Sequence, residues 1–231
     1  VKAELLADLL GVLDDKRAVV LATRLPGGEQ ALLFPLDAGA PDGAWPMEAA
    51  RRALLEDRAD TVTDAKGEVF LRPYNPPARI IVVGAVHIAA PLASMASTAG
   101  FDVHVVDPRS VWATEERFPG VHLVGVWPDE AFPELRPDHR TAVVTLTHDA
   151  KLDDPALVGA LASPAFYVGA LGSRRTHAKR LDRLRERGVS EDDIARIRAP
   201  VGLDIGARTP AEIAVAILAE VVAHLRGAAR P

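Results

Sequence analysis

Arg79-Ile80-Ile81-Val82-Val83-Gly84-Ala85-Val86-His87-Ile88-Ala89 decides the fold. Four apolar β-branched residues in a row, with no polar alternation, read as a strand covered on both faces, the mark of a parallel sheet. A glycine follows, then helical spacing over His87–Thr98, so the segment reads as strand, tight turn and helix. The same unit recurs downstream. Val103–Val106, His122–Val126, Thr141–Thr147 and Phe166–Val168 read as strands, with helices expected over Asp129–Leu135, Pro155–Ala162, Arg174–Arg187 and Glu191–Arg198. A last helix opens on Thr209-Pro210-Ala211-Glu212, a capping box with Pro at the first helical position. Ile213, Ile217, Val221 and Leu225 then form one apolar stripe, wide enough to lie against a sheet. Strand–helix alternation of this kind predicts an α/β, Rossmann-like parallel sheet with helices on both faces.

The residues before Pro76 follow another pattern. Leu5, Leu6, Leu9, Leu10 and Leu13 predict a helix over residues 2–15, and Ala18–Leu25 and Gln30–Leu36 predict two strands joined at Pro26-Gly27-Gly28-Glu29. Pro41, Gly43 and Pro46 break the chain before a short helix over Met47–Arg58. Thr61–Thr63 and Glu68–Arg72 flank a plausible hairpin turn. Pro73-Tyr74-Asn75-Pro76-Pro77 forces an extended segment, so a small α+β domain is expected over residues 1–75 and the Rossmann-like domain over 76–231.

Composition narrows the function. The 231 residues are 48% hydrophobic and 26% charged, with a formal charge of -5, which argues against general nucleic-acid binding. With no cysteine there is no disulfide, thiolate metal site or cysteine nucleophile. No apolar run reaches the roughly 18 residues of a membrane helix, and Val1-Lys2-Ala3-Glu4 does not resemble a signal peptide, so a cytoplasmic protein is expected. Arginine, at 22 residues, is the dominant cation and suits bidentate recognition of an anion.

Four clusters fall just after expected strand ends, where such folds bind ligands. In the first, Gly84 and Ala89 fit a dinucleotide fingerprint but Val86 does not. Its branched, stiff side chain stands where the pyrophosphate would approach, which disfavours NAD(P). The bland alternative is a strand-to-helix turn that binds nothing, with His87 inside it. In the second, Asp107 lies 23 residues beyond Gly84, as a ribose-binding acid would, with Arg109 placed for a phosphate. Asp-Pro-Arg is also a common turn, and both readings stand. The third, Thr147-His148-Asp149-Ala150-Lys151-Leu152-Asp153-Asp154-Pro155, sets a histidine beside three carboxylates that could hold a metal or move a proton, with His148 and Asp149 nearest the strand end, while Asp153 and Asp154 read as helix caps before Pro155. No metal site is assigned there.

The fourth is Gly169-Ala170-Leu171-Gly172-Ser173-Arg174-Arg175. A glycine-rich loop entering a helix presents free N–H groups to an anion, and Arg174 and Arg175 sit at the end of the helix dipole that an anion would make favourable. Lys179, Arg180, Arg183, Arg185 and Arg187 read as a solvated face. Asp204, between Gly202 and Gly206, is a weaker candidate that packing alone would explain, and His104, His122, His139, His177 and His224 read as scattered surface or core residues. No Gly-x-Ser-x-Gly elbow, HExxH helix or Walker loop is present.

Residues 76–87 together with Val106-Asp107-Pro108-Arg109, Thr147-His148-Asp149 with Asp153-Asp154-Pro155, and residues 167–175 resemble the C-terminal Rossmann domain of the xanthine dehydrogenase accessory (XdhC/CoxI) family. Residues 200–206 and 209–214 extend the resemblance, which runs from about Pro76 to Arg226. It implies a chaperone-like protein, rather than an enzyme with its own turnover, that binds molybdenum cofactor (molybdopterin), protects it during sulfuration and helps insert it into a molybdenum hydroxylase client. The anion would then be the pterin's phosphate or pyrophosphate. A cysteine desulfurase is the implied sulfur source, and a homodimer is expected because cofactor-handing proteins of this kind often pair. Two features depart from the family. Val86 replaces the second glycine of its usual Gly-Ala-Gly-His turn, and Asp42-Gly43-Ala44-Trp45-Pro46-Met47-Glu48 lacks the glycines and cysteine usual in its N-terminal domain. An NAD(P)-dependent oxidoreductase using the same crevice, and an interaction module that has lost the site, are the alternatives.

Overall fold

The computed structural model describes residues 3–37 and 44–227, so the breaks expected at Pro41 and Gly43 lie outside the described residues. The chain divides into two compact units, residues 1–76 and 77–231.

The first unit contains α1 (Ala3–Asp14), β1 (Val19–Leu25), β2 (Gln30–Leu33), α2 (Met47–Leu55), β3 (Asp60–Asp64) and β4 (Gly67–Tyr74). Its sheet runs β2-β1-β4-β3, every pair antiparallel. Ala50, Ala53 and Leu54 share one face of α2 and pack with Val20, Ala22, Leu33, Val69 and Leu71. Burying eight apolar side chains in one layer is what a unit this small can manage. Arg24, 8% exposed, is neutralised by a bidentate contact to Asp64 at 2.8 and 3.0 Å.

The second unit alternates strand and helix. It comprises β5 (Arg79–Val83), α3 (Ala89–Thr98), β6 (Asp102–Val106), β7 (His122–Val124), α4 (Pro128–Leu135), β8 (Thr141–Thr145) and α5 (Ala150–Leu161). These are followed by β9 (Tyr167–Ala170), α6 (Arg174–Glu186), the single turn α7 (Glu191–Ile194), β10 (Ile197–Arg198) and α8 (Pro210–Leu225). The sheet order is β10-β9-β8-β5-β6-β7, all parallel. Numbered within the unit this is the 3-2-1-4-5-6 order of a doubly wound Rossmann sheet, read from its other edge. The order reverses between β5 and β8.

The apolar runs are continuous because both faces are covered. Ile80, Val82, Ala142 and Val144 point into one core with Leu92 and Ala96 of α3 and Ile217 and Val221 of α8. Ile81, Val83 and Val143 point into the other with Phe132 of α4, Leu157 of α5 and Leu184 of α6. The capping box at Thr209 and Glu212 is formed. Among the described residues no helix is long and apolar enough to cross a membrane.

Three expectations are corrected. The helix after β8 begins at Ala150 with Asp149 as its N-cap, accepting from the Lys151 N–H at 2.9 Å, so Asp153 and Asp154 are not caps. Pro155 lies inside α5 and removes one helical hydrogen bond. The stretch 191–198 is a single helical turn and then an edge strand, because eight residues with only Ile194, Ala195 and Ile197 apolar carry too little period to separate the two. Arg180, read as surface, is 1% exposed.

Candidate functional site

The four clusters come together at the carboxyl ends of β5, β6, β8 and β9. Val83 is level with Val106 on one side and Thr145 on the other, so the loops that follow leave the sheet at one height. Gly84 has φ +100°, and a Cβ there would overlap the Thr147 methyl group. This glycine lets the loop after β8 close against the turn after β5 at the reversal point. Val86 is half-buried and packs against the core on the α3 and α8 side. His87 is exposed, with its ring edge-on to Trp112 at 6.4 Å. Among the described residues the N–H groups of Val86, His87 and Ile88 have no partner within the chain, which leaves the mouth of α3 electropositive.

Asp107 stands at the end of β6, where a ribose would be held, but it faces inward. It is fully buried, and its carboxylate accepts from the Ala85 N–H at 2.8 Å, the Arg109 N–H at 2.9 Å, Arg109 Nε at 2.8 Å and Arg109 Nη2 at 2.7 Å. Burial alone would push this carboxyl up; the Arg109 guanidinium and the two backbone donors outweigh it and hold it below the usual carboxylate range. Arg109 is held protonated by that pairing and, beyond it, by the field of Asp149 across the crevice. Its side chain stays 42% exposed. A cation, not an acid, therefore faces outward where a dinucleotide fold offers a carboxylate to the ribose.

The loop after β8 is wound around Asp153. This carboxylate accepts from Thr147 Oγ1 at 2.7 Å, the His148 N–H at 3.1 Å and Arg180 Nη2 at 3.2 Å. To deliver its N–H there, His148 adopts φ +63°, a left-handed conformation uncommon outside glycine. Burial pushes Asp153 up, partly offset by the donors from Thr147 and Arg180. The same Arg180 Nη2 donates to the Leu171 carbonyl at 2.9 Å, so one guanidinium ties the loop after β8 to the loop after β9. Its Nε and Nη1, with Thr145 Oγ1 and His177 Nδ1, are buried without a partner among the described residues, and unmet polar groups of this kind suit a ligand or an internal water. Asp154 receives a bidentate contact from Arg183 at 2.6 and 2.9 Å, so Arg183 belongs to the packing of α5 and α6 and not to a free surface.

In the loop after β9, Gly172 has φ +142° and a Cβ there would lie 3.7 Å from His148 Nδ1, which brings these two expected residues side by side. Ser173 caps α6 by accepting from the Thr176 N–H at 3.2 Å. Arg174 and Arg175 are exposed in the first turn. His148 and Asp149 are exposed on the neighbouring loop. Asp204 is set apart: it leaves the edge strand β10, is exposed, and its flanking Gly202 packs on the backbone of α8 while donating to Glu220 at 2.7 Å. Sequence reading missed Arg180 and Asp153 as organisers of the crevice. Helical spacing was the available signal, because Arg180 lies one turn before Leu184 on the buried face of α6.

A doubly wound sheet with arginines and helix N-termini around its reversal point, and the acid at the ribose position turned inward, defines a Rossmann domain whose crevice departs from the usual dinucleotide fingerprint. The chain belongs to the XdhC family: residues 80–221 match the family's XdhC Rossmann domain. Over 148 residues it is 35% identical to the molybdenum cofactor insertion chaperone PaoD of Escherichia coli, covering 64% of this chain and 40% of that protein. It is also 35% identical over 176 residues to the Escherichia coli protein YqeB, covering 73% of this chain and 32% of that one. A crystal structure from Bacillus halodurans, described as a xanthine dehydrogenase, superposes with a TM-score of 0.71 at 26% identity, covering 97% of this chain and 64% of that one. The chain thus spans about a third to two fifths of the length of these two curated relatives.

Proposed function

We propose that this chain binds molybdenum cofactor and serves the maturation of a xanthine dehydrogenase-type molybdenum hydroxylase. One observation carries the reading: Asp107 is closed by Arg109 and the Ala85 N–H, so the end of β6 offers a cation to an anion where a dinucleotide fold offers a carboxylate to the ribose. The residues fit the phosphate end of the cofactor. Arg109, Arg174, Arg175 and the N-termini of α3 and α6 would hold that group, and Gly84, Val86, His87, His148, Asp149, Gly172 and Ser173 would line its approach. Asp204 would stand at the margin. The name of PaoD, and the family match across the sheet, support the same reading.

The cofactor supplies its redox chemistry to the client; the work of this chain is to bind, orient and shield it. No cysteine is present to carry a persulfide, so sulfur must come from a second protein, a cysteine desulfurase in this reading. A cytoplasmic homodimer belongs to the same proposal. The NAD(P)-dependent oxidoreductase is the lesser reading, because the closed Asp107 and the branched Val86 both oppose the usual dinucleotide pose.

The test is calorimetric titration of the chain with isolated molybdenum cofactor under anaerobic conditions. Replacing Arg174 and Arg175 together with Gln is expected to weaken binding at least tenfold, about 1.4 kcal/mol. Unchanged affinity in a folded double variant overturns the assignment of these arginines.

A further inference from the structure

Far from the crevice, β6 and β7 place a second group of ligating side chains on one face. Asp102 and His104 are two apart on β6 and so point the same way. His122 is the register partner of His104 on β7, and the two imidazoles stack at 4.7 Å between ring centroids. Asp102 Oδ2 lies 3.4 Å from His104 Nε2, Asp102 Oδ1 lies 3.1 Å from His122 Nε2, and the three ligand atoms fall within 4.8 Å of one another. The Asp102–His122 contact is an ordinary hydrogen-bond length, while the Asp102–His104 contact is longer than most. Ligands held about 2.0–2.2 Å from a tetrahedral ion stand roughly 3.3–3.5 Å from each other. The two Asp102 contacts come near that separation, and the exposed His122 ring would turn out of its stack on His104 to aim its Nε2 at a shared ion.

We infer that Asp102, His104 and His122 form a binding site for a divalent transition-metal ion. Two imidazole nitrogens and one carboxylate oxygen suit Zn²⁺ and its neighbours better than Mg²⁺ or Ca²⁺. His104, with 15% of its side chain exposed, holds its Nε2 toward the Asp102 carboxylate. Arg79, on the neighbouring strand β5, has its guanidinium held by the Leu135 and Arg136 carbonyls and the Thr141 hydroxyl. His122, with 64% of its side chain exposed, leaves a path in and open positions for water. His104 Nδ1 has no hydrogen-bond partner. Tight zinc sites use such an outer bond, so affinity is expected in the micromolar range.

A bound ion would pin the three-residue edge strand β7 to β6 and so close the 107–121 segment, which carries Arg109 and Trp112. The site stands at the opposite end of β6 from Asp107, and its failure would leave the crevice reading intact.

Titrating the full chain with Zn²⁺ against a chromophoric chelator tests the site. One equivalent bound at micromolar affinity is expected, weakened at least tenfold by His122→Gln and by Asp102→Asn, with binding falling as pH drops below about 6. Because His122 is mostly exposed, its variant keeps the fold, which circular dichroism checks. Cobalt(II) should give the visible absorption of a four-coordinate site, lost in the same variants. No binding tighter than millimolar, or binding unaffected by His122→Gln, overturns the proposal.

Discussion

At the scale of single residues, the decisive group is the Asp107 carboxylate. Its four donors come from the turn after β5 and from Arg109 two residues on, so it fixes the mouth of the crevice from within. Asp107→Asn keeps the shape and removes the charge, and should cost about 1.5–3 kcal/mol in urea unfolding, the range for hydrogen bonds to charged groups. The pH dependence has a definite sign. The folded value of this carboxyl is depressed, so its stabilising contribution is complete above the ordinary value of about 3.9 and is lost as pH falls through the folded value. The Asn variant should therefore show a shallower loss of stability below about pH 4 than the parent. A parallel acid limb would assign the pairing no energetic weight. The place of Asp107 was legible in its spacing from Gly84, since strand length and turn chemistry fix where a strand ends. Its inward direction was not, because a side-chain rotamer depends on what packs around it.

At the scale of elements, α5 and α6 are joined by two arginine–carboxylate contacts of different kinds. Arg180 and Asp153 are each 1% exposed, whereas Arg183 stays partly open above a buried Asp154. Breaking a buried pair strands a charge and costs about 3–5 kcal/mol. Arg180→Met is thus expected to lose stability of that order and to loosen both the 146–149 and 171–173 loops, read as faster amide exchange there. Arg185→Met, on the exposed side of the same helix, should leave unfolding unchanged within error. Equal effects from the two would place Arg180 among ordinary surface residues. Sequence could not separate these arginines by type. Only the one-turn relation of Arg180 to Leu184 marked the buried one, and α6 is too polar for its apolar face to be plain. The same limit explains why Asp154-Pro155 suggested a helix start five residues late: a proline is tolerated inside α5, and the true cap, Asp149, lay one turn earlier.

At the scale of the whole molecule, the parallel sheet was legible because its strands are apolar runs and its helices carry period and caps. Strand order was not readable from periodicity, because an apolar run does not name its neighbours. The observed order puts β5 beside β8 and makes the crevice, bringing Gly84, Asp107, His148 and Gly172 to one end of the sheet. The crevice departs from the usual dinucleotide fingerprint locally, with an acid turned inward and exposed arginines, and the proposal that it holds molybdenum cofactor rests there. The most direct test of that claim is what the protein carries. The chain should be purified from cells that make molybdenum cofactor, denatured without oxygen, and the released small molecules identified by mass spectrometry. Molybdopterin and no nicotinamide nucleotide are expected, whereas NAD(H) or NADP(H) released in stoichiometric amount, without a pterin, overturns the reading.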